Sequence, residues 1–279
     1  MQKYIFLREI GYLSTKLYFI MQKEKRIKIF VTNDDGYYAH GIRVLLEEMR
    51  LLGDVLCIAP ASGQSGKSHA ITFSDPLSLE CLEKEPGFEL YSLKGTPVDC
   101  VKMALDKFYT DFMPDVIVSG VNHGSNASIC SIYSGTVAVA REGALNAIPS
   151  IAFSSLNFSQ NADYSPYKEY IRKITSHVLQ HGLPSRVFLN VNFPLGNTFA
   201  GMRVCRQTKG VWVEEFQKRV DPHNREYYWL TGYFDNYEPE AEDSDEWLLQ
   251  QKYIAIVPLK IETSDSKAIR DLSLLNCEL

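Results

Sequence analysis

The chain has 279 residues, of which 45% are hydrophobic and 23% charged, and its formal net charge is −5. This length and apolar content indicate a globular protein with a core large enough to need no disulfide or metal staple. The mild acidity argues against nucleic acid or a membrane surface as a partner, since either usually requires a basic excess. It leaves phosphorylated small molecules open, and no apolar run approaches the roughly 20 residues of a membrane-spanning helix.

The six cysteines form no Cys-x-x-Cys pair, and several lie inside apolar runs, as Cys57 does. We therefore expect buried, reduced thiols and a cytoplasmic protein. Charged residues interrupt every apolar stretch of the first twenty positions, so no signal peptide is predicted there. Two interpretations of this segment stay open, an adaptor helix or an upstream choice of start codon before Met21. The N-terminal extension, 1–27, is assigned no role.

Apolar runs and helical periodicities alternate along most of the chain. Strands are predicted at 26–32, 55–59, 115–119, 151–153 and 187–191. Helices are predicted at about 42–52, 96–108, 135–147 and 165–181. Thr96 followed by Pro97 is typical of a helix N-cap and first turn. This alternation predicts an α/β fold, with a Rossmann-like, mostly parallel sheet that carries helices on both faces.

The last third of the chain has a different pattern. Residues 203–233 are β-rich, 236–246 form an acidic loop, and a helix and a strand at 253–257 follow. We divide the chain into a Rossmann-like catalytic core, 28–200, and a β-rich arm with the C-terminal segment, 201–279, within the same domain.

Polar residues follow the predicted strands, where ligands bind in sheets of this type. Asp34 and Asp35 come directly after the first strand. Adjacent carboxylates are costly unless a cation neutralises them, which indicates a hard metal site. The alternative is an aspartate-rich turn that caps the next helix.

The second strand is followed by 61–68 (ASGQSGKS), which is close to a phosphate-binding P-loop. Ala61 replaces the first glycine of that motif, and the next residues, 69–76, are strand-like rather than helical. A P-loop requires a helix there, so this interpretation is kept only as an alternative. A loop that supplies amides and a hydroxyl fits the residues better.

Two further segments supply candidate ligands. Asn122, after the strand at 115–119, offers a neutral oxygen. Ser134, Gly135 and Thr136 open a helix whose free amides and positive dipole end suit an anion. An ordinary N-cap formed by Ser134 or Thr136 is the alternative interpretation. His177 and His181 have i,i+4 spacing, but we interpret them as solvated residues near a helix C-terminus.

Five motifs stand at the ends of predicted strands and the starts of predicted helices. They are 31–36 (VTNDDG) with 40–42 (HGI), 59–60 (AP) leading into 65–68 (SGKS), 95–101 (GTPVDCV), 114–124 (PDVIVSGVNHG) and 132–138 (IYSGTVA). In this order they resemble the motifs of the survival protein SurE family of metal-dependent nucleotidases, from Lys28 to about Lys260. The resemblance implies a SurE-like fold whose β-rich arm makes a homodimer or homotetramer.

The resemblance also implies an activity and a set of site residues. It implies hydrolysis of nucleoside 5′- and 3′-monophosphates, and also of short-chain polyphosphate. One divalent cation, Mg²⁺ or Mn²⁺, is expected on Asp34, Asp35, Ser65 and Asn122, with one of the two aspartates as general base. The phosphate is expected on Gly66, Asn126, Ser134, Gly135 and Thr136.

The chain departs from the family pattern at two places. Ala127 and Ser128 follow Asn126, where the family usually has Gly-Asp. In the C-terminal segment Glu262 stands near a family aspartate, but Ser266 occupies the position of a family histidine, so no role is assigned there. Two alternatives therefore remain beside the nucleotidase: a non-catalytic nucleotide sensor on the same fold, and a P-loop nucleotide-binding protein.

Overall fold

The computed structural model describes residues 26–108, 110–159 and 162–276. Almost all of the predicted N-terminal extension therefore lies outside the described residues. The described strands are β1 (Lys28–Thr32), β2 (Asp54–Pro60), β3 (Leu79–Glu85), β4 (Phe88–Leu93), β5 (Val116–His123), β6 (Ser150–Ser155), β7 (Val187–Phe193), β8 (Gly201–Val204), β9 (Gly210–Val213), β10 (Phe216–Val220), β11 (Glu226–Leu230), β12 (Tyr233–Asn236) and β13 (Tyr253–Lys260). The described helices are α1 (His40–Arg50), α2 (Pro97–Lys107), α3 (Cys130–Tyr133), α4 (Gly135–Leu145), α5 (Lys168–His181), α6 (Asp245–Gln250) and α7 (Ser266–Asp271), with 3₁₀ turns at Ser165–Tyr167 and Ser273–Leu275.

A nine-stranded sheet with the order β3-β4-β2-β1-β5-β6-β7-β13-β8 forms the centre of the protein. The six strands from β4 to β7 in this order run parallel to one another. β3 pairs antiparallel with β4, and β13 pairs antiparallel with β7. The predicted mostly parallel α/β fold is confirmed.

Helices cover both faces of this sheet because the central strands are apolar on both sides. Ile29 and Val31 of β1 belong to one core cluster, with apolar residues of α1 and α5. Phe30, between them, points to the opposite face and belongs to a second cluster with Cys100 and Val101 of α2 and Val139 of α4. Complete burial of one apolar side chain of this size stabilises the folded state by roughly 1.5–3 kcal/mol.

Local signals set the starts of the two helices nearest the carboxyl ends of the strands. Thr96 and Asp99 form a capping box at α2, with Pro97 in the first turn. Ser134 caps α4 by accepting a hydrogen bond from the Val137 N–H. Both helix starts agree with the predictions made from the sequence.

Two segments differ from the sequence predictions. The β3–β4 hairpin was not predicted, and residues 69–76, predicted as strand-like, contain neither strand nor helix. Thr72 shows why, because its N–H and its hydroxyl donate to the Asp99 carboxylate rather than to a neighbouring strand.

The β-rich segment at 203–233 is confirmed, and it contains two kinds of strand. β8 joins the central sheet through parallel pairing with β13. The other strands form two antiparallel pairs, β9 with β12 and β10 with β11. Every residue of β10 and β11 is exposed. We call 205–244 the arm. Among the described residues no helix is long and apolar enough to cross a membrane.

Candidate functional site

A cavity of about 420 Å³ lies at the carboxyl ends of β1, β2 and β5, where the sequence predicts a site. Six of the predicted site residues line it: Asp34, Ser65, Gly66, Asn122, Asn126 and Ser134. Asp35 lines an adjacent cavity of about 270 Å³ with His40, His123 and Tyr164. His123 lines both cavities and therefore separates them.

Asp34 forms the buried floor of the larger cavity and is 3% exposed. Its Oδ1 accepts a hydrogen bond of 2.5 Å from the Thr136 hydroxyl. Burial, together with the neighbouring charge of Asp35, raises the pKa of Asp34 to about 6. A carboxylate that is this costly to ionise gains the most from a bound cation.

The backbone at the end of β5 holds the Asp35 carboxylate in place. Its Oδ2 accepts a hydrogen bond of 3.1 Å from the His123 N–H. Burial raises the pKa of Asp35, although the contact with His123 opposes this shift. The other carboxylate oxygen, Oδ1, accepts no hydrogen bond within the described part of the chain and remains for a cation.

Asn122 lies at the end of β5, just after a cis peptide bond between Gly120 and Val121. Its Nδ2 donates a hydrogen bond of 2.8 Å to the Gly124 carbonyl. This contact identifies the amide nitrogen, so the carbonyl oxygen Oδ1 points elsewhere and is the atom that suits a cation.

Ser65 and Gly66 reach the cavity on the loop after β2. The Gln64 N–H donates a hydrogen bond of 2.7 Å to the Asp34 carbonyl oxygen, which brings this loop beside the carboxylates. Gly66 has φ +73°, a conformation that residues with a side chain rarely adopt, although a Cβ at this position would meet no atom within 4 Å. The P-loop interpretation is wrong, because no helix follows Ser68 and the next element is β3.

Gly135 and Ser134 place the start of α4 against Asp34. A Cβ at Gly135 would lie 3.0 Å from the Asp34 Cβ, so only glycine allows this approach without a shift. The Gly135 N–H, at the first helical position, has no partner within the helix. The Ser134 hydroxyl accepts the capping hydrogen bond and can still donate one.

Thr136 has a different environment from Gly66, Asn126 and Ser134, the predicted phosphate ligands that line the cavity; Gly135 is not among the lining residues either. Its side chain is fully buried, and it does not line the cavity. Its hydroxyl and its backbone N–H both contact the Asp34 carboxylate and lower the pKa of that group. The structure thus shows a support for Asp34, and a direct contact between Thr136 and phosphate stays a prediction.

Asn126 lies on the cavity wall within a buried polar network. Its N–H donates to Asn192, its Nδ2 donates to Ser154, and its carbonyl accepts from Asn190. One N–H of the Asn126 amide remains for a ligand, so its predicted contact with phosphate stays open.

Hydrogen bonds connect the loop after Asn126, which departs from the family pattern, to the arm and to the start of α6. Ala127 is fully buried, and the Ser128 N–H donates to the carboxylate of Asp245. Asp245 also accepts hydrogen bonds from the N–H and hydroxyl of Thr208. The sequence places Asp245 in an acidic loop, whereas it begins α6 and is fully buried.

A second set of residues that line the cavity was not predicted from the sequence. Phe158, after β6, and Trp212, Glu215, Leu230 and Thr231 of the arm line the same cavity as Asp34. Trp212 also packs edge-on against Phe234, with the ring centroids 6.5 Å apart. The only signal in the sequence is the aromatic content of the arm, which gives no indication of which rings turn toward the core.

Other candidates from the sequence lie away from the cavity. His177 and His181 are exposed on α5, with ring centroids 4.5 Å apart, as predicted for solvated residues. Glu262 is exposed and forms an ion pair with Arg186. Neither the histidine pair nor Glu262 lines the cavity.

The donor atoms of the site suit a hard divalent cation. Within 26–108, 110–159 and 162–276, no group of three or more His, Cys, Asp or Glu side chains could hold a metal. The predicted ligands are instead two carboxylates, a hydroxyl and an amide oxygen, from Asp34, Asp35, Ser65 and Asn122. All are oxygen donors of the kind that Mg²⁺ and Mn²⁺ prefer, and they leave coordination positions for water and phosphate. The residues present therefore fit the predicted cation.

Several known proteins are similar to this chain in sequence and in fold. The family described as survival protein SurE matches residues 29–214. The protein named 5′-nucleotidase SurE from Christiangramia forsetii is 48% identical over 257 residues, covering 91% of this chain and 98% of that protein. The protein of the same name from Phocaeicola vulgatus is 44% identical over 259 residues, covering 93% of this chain and 100% of that protein. The crystal structure of the SurE protein from Aquifex aeolicus matches this structure with a TM-score of 0.77 at 32% sequence identity. The match covers 89% of this chain and 99% of that one. This chain therefore belongs to the survival protein SurE family.

Proposed function

We propose that this protein is a metal-dependent 5′-nucleotidase that hydrolyses nucleoside monophosphates to nucleoside and phosphate. The observation that carries the proposal is a single cavity that contains Asp34, Ser65, Asn122 and the start of α4. Such a cavity brings oxygen ligands for a cation and a hydroxyl donor for an anion to one place, as hydrolysis of a phosphate ester requires. The relatives named 5′-nucleotidase SurE support the same activity.

Asp34, Asp35, Ser65 and Asn122 would hold the divalent cation. It supplies Lewis acidity, which polarises the phosphate ester and offsets the negative charge of the transition state. Thr136 keeps the Asp34 carboxylate in place through its hydroxyl, so the geometry is set before substrate arrives.

The start of α4 binds the phosphate. The Gly135 N–H and the Ser134 hydroxyl donate to the phosphate oxygens, with the positive end of the helix dipole behind them. A water molecule attacks phosphorus while the ester P–O bond breaks, and one carboxylate of the Asp34–Asp35 pair accepts the proton of that water. The leaving oxygen of the nucleoside takes up, through solvent, the proton that the carboxylate accepted, so the carboxylate is regenerated and the products are nucleoside and phosphate.

We extend the proposal to 3′-monophosphates and short-chain polyphosphate. The residues assigned to binding contact the cation and the phosphate, and none of these contacts requires the phosphate to be on the 5′ position. A substrate panel that includes both positional isomers tests this extension.

We propose that the arm makes a homodimer or homotetramer. Phe216, Trp229 and Leu230 on the β10–β11 pair are 69%, 61% and 70% exposed, which is costly for side chains of this type. Within the described part of the chain β10 and β11 pair only with each other, and unpaired strand edges of this kind favour association. Light scattering on the purified protein should give a mass of two or four chains, and a monomer would contradict this.

A cytoplasmic location is part of the same proposal. Cys57, Cys100 and Cys205 are buried free thiols, and burial raises the pKa of Cys205 to about 12. Such thiols are unreactive, and they suit a reducing compartment.

The experiment that tests the activity is phosphate release from nucleoside 5′- and 3′-monophosphates, with Mg²⁺, with Mn²⁺ and with a chelator. We expect release with metal and none with the chelator. A folded protein that binds nucleotide but releases no phosphate with either metal would contradict the proposal and favour the nucleotide sensor.

A further inference from the structure

The loop that carries Ser65 and Gly66 extends through 61–78 without a helix or strand. Irregular connections of this length are usually functional and need anchors to keep one conformation. Two backbone hydrogen bonds hold the part nearest the site. The Gln64 N–H donates to the Asp34 carbonyl, and the Ser68 N–H donates to the Tyr133 carbonyl at 3.1 Å.

The next residue of this loop, His69, contacts a buried carboxylate. Its Nε2 lies 2.9 Å from Oε2 of Glu142, which is 5% exposed. Lys102 donates to the other oxygen, Oε1, at 2.7 Å. The hydrogen bond from His69, with that from Lys102, holds the pKa of Glu142 below its usual value despite burial. Glu142 is therefore ionised, and the Nε2 of His69 is the donor.

A buried carboxylate is an unfavourable choice for packing alone. Glu142 lies in the interior of α4, where an apolar side chain would fill the same space without the cost of desolvation. The Nδ1 of His69 is buried and makes no hydrogen bond with any other described residue. The contact between His69 and Glu142 thus fixes one atom of the loop to one helix.

That helix is also the one whose first residue contacts Asp34. Gly135 at the start of α4 lies against the Asp34 side chain, and Glu142 follows two turns later on the same rigid helix. The helix therefore fixes the position of the phosphate-binding amides directly. Through His69 it also fixes the position of the loop that carries Ser65.

We propose that His69 and Glu142 form a positioning pair that holds Ser65 at the correct distance from Asp34, and so sets the affinity of the site for its divalent cation. This inference rests on the proposed function for the identity of the site. Its test includes direct metal binding, which does not depend on turnover.

The test compares His69→Leu with His69→Gln in the full-length protein. Mn²⁺ binding is measured from the free Mn²⁺ signal by electron paramagnetic resonance, and phosphate release from AMP is measured over a range of Mn²⁺ concentrations. We expect His69→Leu to raise the Mn²⁺ dissociation constant about 10- to 100-fold, the usual effect of losing a residue that orients metal ligands. Saturating Mn²⁺ should restore most of its turnover.

His69→Gln should bind Mn²⁺ nearly as well as the unaltered protein. The glutamine amide reproduces the Nε2 donor to Glu142, and the Nδ1 that it lacks makes no hydrogen bond. If His69→Leu fails to fold, Glu142→Gln tests the same contact, because it keeps the side-chain shape while it weakens the charge-assisted hydrogen bond. Weaker Mn²⁺ binding is expected there too.

Two further variants control for general damage. His177→Leu removes an exposed imidazole on α5 and should leave Mn²⁺ binding unchanged. Lys102→Met removes a half-exposed lysine from the buried Glu142 carboxylate but keeps the contact between His69 and Glu142, so we expect a change of about threefold or less.

Three outcomes would overturn the inference: unchanged Mn²⁺ affinity in a folded His69→Leu, equal impairment in His69→Gln and His69→Leu, or Lys102→Met as impaired as His69→Leu. If the unaltered protein binds Mn²⁺ but releases no phosphate, the proposed nucleotidase activity fails, and the Mn²⁺ affinities of the variants still decide the role of the pair.

Discussion

The two ends of the cavity are constructed in contrasting ways. At the core end Asp34 follows β1 and Asn122 lies near the end of β5; both are almost fully buried and fixed by hydrogen bonds. At the arm end the wall comes from Phe158, Trp212 and Glu215, of which Phe158 is 69% exposed. Preorganised charge is what phosphoryl chemistry requires, whereas an exposed wall suits contact with the rest of the substrate. The comparison predicts that changes at the core end lower turnover and changes at the arm end weaken binding.

The largest expected effect is that of Asp34→Asn. It removes a charge from the cation site and should lower kcat/KM for AMP about 10³-fold, the upper range for loss of one electrostatic contact in an active site. Circular dichroism and thermal unfolding should show an intact fold, because Asn replaces a buried carboxylate that is costly to ionise. Normal turnover in this variant would rule out the assigned cation site.

Gly135→Ala should have the next largest effect. The new Cβ would lie 3.0 Å from the Asp34 Cβ and 3.1 Å from Pro97 Cγ, so the start of α4 must move away from the carboxylates. We expect kcat to fall about 10- to 100-fold, by analogy with small misplacements of reacting groups. The free energy of unfolding should fall about 1–3 kcal/mol from overpacking.

Gly63→Ala is the matched control for that substitution. Its Cβ would meet nothing closer than 3.8 Å, and it lies in the loop that carries Ser65. Steady-state rates should be unchanged for Gly63→Ala. Equal losses in both variants would mean that the contact between Gly135 and Asp34 has no special importance.

Trp212→Ala tests the arm end. We propose that Trp212, which lines the cavity, stacks on the base of the substrate. Loss of one such stacking surface costs about 1–3 kcal/mol, so KM for AMP should rise about 10-fold while kcat stays close to the original value. Ribose 5-phosphate, which has no base, serves as the control substrate, and its KM should be unaffected. A large fall in kcat with both substrates would show that Trp212 supports the reaction centre instead.

The smallest expected effect is a change with pH in how much Mn²⁺ stabilises the folded protein. The folded-state pKa of Asp34 is raised from 3.8 to about 6, so the metal-free protein is destabilised by this group as pH rises through 6. A cation offsets that cost and binds the ionised form. Mn²⁺ should therefore raise the unfolding temperature by several degrees more at pH 7.5 than at pH 5.0. Equal shifts at the two pH values would contradict the assignment of Asp34 as a ligand.

The core end was largely predictable from the sequence because its signals are local. Val31 and Thr32 complete an apolar strand just before Asp34, and Thr96 with Pro97 marks a helix start whatever the rest of the chain does. Parallel strands also bring their carboxyl ends to one edge, so separate loops could be assigned to one site.

The arm end and the sheet edges depend on contacts between distant residues. β3 is exposed along nearly its whole length, so it has no apolar run that would mark a strand. The local sequence around Asp245 is typical of an acidic loop. Its burial depends on hydrogen bonds from Ser128 and Thr208, which are distant in the chain. The placement of Trp212 in the same cavity as Asp34 likewise depends on how the arm returns to the core, which no local pattern specifies.

The most direct test of the account is to titrate Mn²⁺ into the protein and its Asp34→Asn variant while phosphate release from AMP is followed in the same samples. The account predicts that turnover in the unaltered protein rises in proportion to bound Mn²⁺. It predicts that Asp34→Asn loses Mn²⁺ binding and turnover together, with its fold intact. Phosphate release that is unaffected by chelator, or by loss of Asp34, would contradict the central claim that this carboxylate holds a catalytic cation.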